Sequence, residues 1–263
     1  MVLWDRTRSK AEALNLGRIA DSPADASRDA EVVVSMVTGP EAVRAVYFGQ
    51  AGVLEAAAGK TIVEMSTAGP NVTAELASAA KQVGARLIEA PVLGSIPAVL
   101  SGQLVILAGA DDLDDVEAAR PVLQALGEVH YVGGLGNAAS LKLVANSMLA
   151  IVTTSAAELL AAGTSIGLDP EMVFWILSHF APTLTMRESG LLCGVHEPAM
   201  FAMRDIVKDL DLALELYRRA AGSRFHQPLT SLTRELLQGV AARTPDLDLS
   251  AIVEGYKALP VRT

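Results

Sequence analysis

Strand-like runs stop near residue 132 of this 263-residue chain, and that one fact limits the folds open to it. Before that point, short β-rich runs at 2–4, 31–37, 60–65, 86–91, 103–109 and 128–132 alternate with helical patterns at 9–14, 40–47, 70–84 and 113–126. Most of the strand runs are continuous and apolar, as in Val32-Val33-Val34, which suits strands covered on both faces. Strands alternating with helices build βαβ units and a parallel, doubly wound sheet. Asp111 or Asp112 is placed to cap the helix at 113–126. From Asn137 to about Ile166 the pattern is one long helix. Gly167 ends it, and Leu168-Asp169-Pro170 is a cap-and-proline start for the next. Further helices are expected at 170–180, 200–221, 227–241 and 248–258. The expected architecture is an α/β domain over 1–133 followed by an all-helical domain over 134–263, with the boundary at Gly133-Gly134-Leu135-Gly136.

Composition removes several function classes. With 51% hydrophobic and 19% charged residues the chain can bury a large core. A net charge of -9 and the lack of any Lys/Arg-rich run argue against nucleic acid or an anionic membrane as partner. The lone Cys193 rules out an internal disulfide, and His130, His179, His196 and His226 lack ligand spacing, so no metal site is expected. The stretch 143–165 is apolar but carries Asn146, Ser147, Thr153, Thr154, Ser155 and Glu158, which marks a buried helix rather than a membrane span. The N-terminus has no signal-peptide pattern, so a cytoplasmic location is expected. Trp175, Phe174, Phe180 and the methionines around Met200 read as helical core.

A doubly wound sheet binds a dinucleotide through a strand, a G-x-G-x-x-G turn and a helix. No such element precedes Val2. The string Gly134-Leu135-Gly136-Asn137-Ala138-Ala139 follows a strand and opens a helix, but no parallel strand comes after it, so it reads as an interdomain hinge. The opening Val-Leu-Trp-Asp-Arg-Thr-Arg-Ser-Lys reads as the second strand of such a fold and the turn beyond it. There an acidic residue serves a ribose 2′-hydroxyl and an Arg serves a 2′-phosphate. Asp5 and Arg6 stand side by side, so NAD and NADP both remain open, with Arg6, Thr7 and Lys10 tilting toward NADP. An ordinary exposed strand end is the bland alternative.

Three further segments hold candidate chemistry. In Glu64-Met65-Ser66-Thr67-Ala68-Gly69-Pro70 a strand ends in two hydroxyls ahead of a helix, which suits either a carboxylate ligand or plain helix capping. In Glu89-Ala90-Pro91-Val92-Leu93-Gly94-Ser95, Gly94 permits a close backbone approach and Ser95 adds a donor, or the segment is simply a tight turn. In the third, Lys142 and Asn146 lie four apart on one face of the long helix. A lysine on an otherwise apolar helix is either a functional amine or a residue at an exposed helix start.

Together these segments resemble the β-hydroxyacid dehydrogenase family, which includes the 3-hydroxyisobutyrate dehydrogenases and the glyoxylate/succinic semialdehyde reductases. The resemblance runs over essentially the whole chain and is closest to the second branch, through residues 89–92, 102–107 and Lys208-Asp209-Leu210-Asp211-Leu212-Ala213-Leu214. It implies hydride transfer between a nicotinamide and a small carboxylate bearing a hydroxyl, aldehyde or keto group. Lys142 would be the catalytic acid/base, and Ser66, Gly94, Ser95 and the catalytic Asn146 would contact substrate. Thr67 and Lys208 would contact the cofactor, Met36 and Val37 would line its cleft, and Arg6 and Thr7 would meet the 2′-phosphate. The chain departs from the family at Leu93, where a hydroxyl is usual, at Ala138, where a Gly is usual, and in lacking the first glycine-rich βα unit. A late recorded start is the simplest account of that lack. Lys142 favours hydroxyacid over imine chemistry, while a diverged, non-catalytic member is the contrasting reading. The Ala-rich surface of the long helix (Ala150, Ala156, Ala157, Ala161, Ala162) suggests a homodimer or higher homo-oligomer.

Overall fold

The computed structural model of the chain describes residues 1–221 and 227–257, and His226 lies outside them. They divide into two compact units, Met1–Lys142 and Leu143–Thr263. The first unit runs β1 (Val2–Leu3), α1 (Arg8–Leu14), β2 (Arg18–Ile19), α2 (Pro23–Ser27), β3 (Val32–Ser35), α3 (Pro40–Phe48), β4 (Thr61–Glu64), α4 (Pro70–Gln82), β5 (Arg86–Glu89), β6 (Val92–Leu93), α5 (Ile96–Leu100), β7 (Leu104–Ala108), α6 (Leu113–Gln124) and β8 (Gly127–Tyr131). The long helix α7 (Asn137–Ser165) leaves it. Helices α8 (Pro170–Phe180), α9 (Glu188–Cys193), α10 (Met203–Ala221), α11 (Pro228–Ala241) and α12 (Ile252–Lys257) follow. This is the Rossmann-like α/β domain and helical domain expected from the sequence pattern.

Strand alternation explains the layers of the first unit. β3, β4 and β5 pair in parallel, with Val33 opposite Ile62 and Ile62 opposite Leu87. Those three side chains share one face and pack with Val43 and Tyr47 of α3 and Val72 and Leu76 of α4. The alternate residues Val32, Val63 and Ile88 face the other way, onto Val116, Ala119 and Leu123 of α6. A sheet covered by helices on both faces buries β4 completely.

β3 departs from the expectation of full burial. Val32 and Val33 are half-buried and Val34 is exposed, because among the described residues β3 pairs with β4 alone. In the same way β1 pairs only with β2, in parallel. β6 pairs antiparallel with β7, which the sequence pattern did not show, and β7 pairs in parallel with β8. The short elements β2, α2, β6, α5 and α9 were not expected either. Two to six residues carry too little periodicity to register.

Helix ends follow local chemistry. Asp112 caps α6 through the Asp114 amide, and Asp169 caps α8 with Pro170 in the first turn. Gly167 takes φ 89°, a left-handed stop after α7. By length and apolarity α7 could cross a membrane, yet half of its most apolar window is buried inside the protein. In the second unit Ala150, Ala157 and Leu160 of α7 pack against Val173, Phe174, Leu210 and Leu237. The alanines at 150, 156 and 157 are thus covered within their own unit and form no free packing stripe. Two aromatic expectations also fail: Trp175 and Phe180 are 61% and 83% exposed. The period of α8 turns Val173 and Phe174 inward and carries Trp175, Ile176 and Phe180 to the outside.

Candidate active site

The C-terminal ends of the parallel strands β3 and β4 are tied together by a buried polar chain. The Tyr47 hydroxyl lies 2.6 Å from Ser35 Oγ, and Ser35 Oγ donates to Glu64 Oε1 at 3.5 Å. Glu64 Oε1 also accepts the Ser66 amide at 2.9 Å, and Ser66 Oγ accepts the Val37 amide at 2.8 Å. Ser66 is only 6% exposed. It therefore links the β4–α4 loop to the residues after β3, a structural duty beside any contact with substrate. Burial lifts the Glu64 carboxyl to about 7, against the hydrogen bonds from Ser66 that favour its charged form. Met36 is exposed next to half-buried Val37, and Thr67 is half-buried beside Ser66. The chain thus brings Met36, Val37, Ser66 and Thr67 to one strand-end cluster.

The second carboxyl, Glu89, ends β5 and is buried. Its Oε1 accepts the Ala138 amide of α7 at 2.8 Å. That bond answers the question posed by the glycine string at 134–139. The amide a phosphate would need at this helix start is already held by a carboxylate, whose charge would repel one. The string forms a pinned connection: Gly133 and Gly136 take φ 105° and 94°, and the Asn137 side chain donates to the Val132 carbonyl.

Lys142 lies one helical turn beyond Ala138 and is half-buried, so it is neither a solvated surface lysine nor a fully desolvated one. Asn146, a further turn along, is 3% exposed, and its Nδ2 donates to Asp209 Oδ2 at 2.5 Å. Asp209 on α10 is itself 1% exposed, with Lys208 Nζ 2.9 Å from its other oxygen. Two residues picked out from sequence, Asn146 and Lys208, are therefore joined through a third that was not. The clue was available: Asp209 sits within the inward series Met203, Ile206, Val207, Leu210, Ala213, where an unpaired carboxylate would be costly.

Gly94 takes φ 123°, and a Cβ there would lie 2.9 Å from both Ala98 Cβ and Leu104 Cδ2. Glycine is required by the chain's own packing at this turn, whatever else approaches it. Ser95 follows as the residue that opens α5. At the end of β1, Asp5 Oδ1 accepts the Thr7 amide at 2.6 Å, while Arg6 and Thr7 are exposed ahead of α1. No group of three or more His, Cys, Asp or Glu side chains able to hold a metal occurs among the described residues.

A nicotinamide dinucleotide fits this donor set. Arg6 is an unburied cation beyond β1, and Met36 and Val37 follow β3 as Thr67 follows β4, at the strand C-termini where open α/β sheets bind ligands.

Comparison with known proteins agrees. The NAD binding domain of 6-phosphogluconate dehydrogenase matches residues 1–134, and the NAD-binding domain of NADP-dependent 3-hydroxyisobutyrate dehydrogenase matches residues 136–256. Glyoxylate/succinic semialdehyde reductase 2 of Arabidopsis thaliana is 30% identical over 270 residues, spanning 100% of this chain and 74% of that protein. The 3-hydroxyisobutyrate dehydrogenase of Pseudomonas aeruginosa is 30% identical over 253 residues, 90% of this chain and 83% of its own length. The solved structure of Psf3 in complex with NADP+ and 2-OPP superposes with a TM-score of 0.81 at 26% identity, over 97% of this chain and 91% of that one. The chain is an NAD(P)-dependent oxidoreductase, and it belongs to the β-hydroxyacid dehydrogenase family of the 3-hydroxyisobutyrate dehydrogenases and glyoxylate/succinic semialdehyde reductases.

Proposed function

We propose that the chain reduces a small semialdehyde or keto carboxylate, or oxidises the corresponding β-hydroxyacid, with Lys142 as the general acid/base and NADP preferred to NAD. The observation that carries this reading is the helix face bearing half-buried Lys142 one turn before an Asn146 locked by Asp209. A bound nicotinamide supplies or accepts the hydride. The protein's part is to manage charge: Lys142 stabilises the oxygen on which charge builds and passes it a proton. Asn146 cannot swing freely, since its amide nitrogen is committed to Asp209. Ser66, Gly94 and Ser95 would hold the substrate carboxylate and fix the reacting carbon. Arg6 and Thr7 would hold the 2′-phosphate, with Met36, Val37, Thr67 and Lys208 along the rest of the cofactor. Leu93, half-buried at the end of β6, replaces a hydroxyl with an alkyl group and so favours a less polar substrate at that wall.

Titration with NADPH, followed by nicotinamide fluorescence, and steady-state turnover of the Lys142→Ala variant test this together. Turnover should vanish while NADPH affinity stays within about twofold. Equal losses in both would refute the role of Lys142, and absence of NADPH binding to the unaltered chain would support the non-catalytic reading instead.

We further propose self-association through the helical unit. Val144, Met148 and Leu159 form an exposed apolar stripe along α7, and Trp175, Ile176 and Phe180 project from α8. So much exposed apolar surface marks an interface. Light scattering should give at least twice 27.5 kDa, and a monomer alone would refute it.

A further inference from the structure

The start of α7 lacks what a helix normally uses to satisfy its first amides. The residue before Asn137 is Gly136, which has no side chain to cap with, and the first turn contains no acidic residue. We propose that Glu89 is a positioning residue: from the end of β5 it supplies the missing cap to α7 and thereby fixes the place of Lys142.

Several independent features support this. Glu89 is 2% exposed, and its Oε1 accepts the Ala138 amide at 2.8 Å. Ala138, Lys142 and Asn146 follow one another at four-residue steps, so the anchored amide is on the face that carries the amine, one turn away. The strand end that carries Glu89 is fixed from behind. Glu89 and Gly109 exchange backbone hydrogen bonds of 2.9 and 2.8 Å, which fixes the strand end from which the side chain projects. Gly109 also leaves the room that the side chain occupies, since a Cβ there would fall 2.6 Å from Glu89 Oε1. The electrostatics are matched as well. A negative charge buried at the positive end of a 29-residue helix is stabilised by the helix dipole and in turn holds that end in place. Burial raises the Glu89 pKa, and the Ala138 amide, with Thr73, Ala139 and Gly136, opposes the rise.

The inference rests on the assignment of Lys142 above, and the test separates the two. Glu89→Ala and Glu89→Gln are prepared in the full chain, with helicity checked by circular dichroism. NADPH dissociation constants, kcat and KM are then measured alongside Lys142→Ala. Glu89→Ala should lower kcat by on the order of tenfold or more, with NADPH affinity within about twofold, because a small displacement of the acid affects the chemical step and not cofactor binding. Glu89→Gln keeps an acceptor for the Ala138 amide and should recover most of that loss. An inactive Lys142→Ala with a fully active Glu89→Ala would overturn the role of Glu89 alone. Parallel losses of kcat and NADPH affinity in Glu89→Ala, or a Glu89→Gln no better than Glu89→Ala, would do the same. A fully active Lys142→Ala would overturn both assignments. Should Glu89→Ala fail to fold, Glu89→Asp, whose shorter side chain draws the acceptor back from Ala138, takes its place with the same expected split.

Discussion

Replacing Glu64 by Gln should make the protein more stable at pH 8 and leave it little changed at pH 4. Burial raises this carboxyl from an ordinary 4.5 to about 7. Below pH 4 it is protonated in both the folded and unfolded chain, so it has no effect on stability. Between 4.5 and 7 the unfolded chain loses the proton first, and folding becomes progressively less favourable. Above 7 the group is charged in both states, and the folded state carries the whole desolvation cost. At about 1.4 kcal/mol per pH unit, that rise corresponds to roughly 3 kcal/mol. Gln keeps a carbonyl oxygen to accept the Ser66 amide, now 2.9 Å from Glu64 Oε1, and has no charge to desolvate. Urea unfolding at pH 4 to 8 measures it. With Trp175 replaced by Phe, Trp4 is the remaining tryptophan and reports the first unit. The unaltered protein should lose stability across this range. The variant should lose less, with a residual slope from Glu89, whose pKa burial also raises. Parallel curves for the two proteins would refute the assignment of a proton to the folded-state Glu64 near neutrality.

Gly94→Ala puts a methyl group 2.9 Å from Ala98 and Leu104 at a φ of 123°, and should destabilise the first unit by roughly 1–3 kcal/mol in the same urea assay. An unchanged midpoint would show that the β6–α5 turn can relax. Arg6→Ala should leave stability unaltered, since the side chain is exposed, while weakening NADPH relative to NADH by on the order of tenfold; an equal effect on both cofactors would remove the 2′-phosphate role.

The sequence by itself was enough for the architecture, because the signals involved are local. A short continuous apolar run places β4, period-3.6 patterns over ten or more residues place α4, α6 and α7, and the caps at Asp112 and Asp169 and the stop at Gly167 depend on residues adjacent in the chain. The spacing of Lys142 and Asn146 was legible for the same reason: a helix converts four residues into one face. What the chain could not show is anything that depends on which strand end meets which helix. Ser66 was readable as a hydroxyl near a helix, but its bond to Val37 requires β3 and β4 to lie side by side. Trp175 and Phe180 look like core by composition, and only the packing of α8 turns them outward. Asp209 gains its meaning from Asn146, 63 residues earlier, and Glu89 from Ala138, 49 residues later. Both are carboxylates removed from water, and a buried charge is tolerable only where the tertiary fold delivers a partner to it. Composition and spacing identify residues that could do chemistry; the buried groups that hold those residues still become visible when the chain has folded.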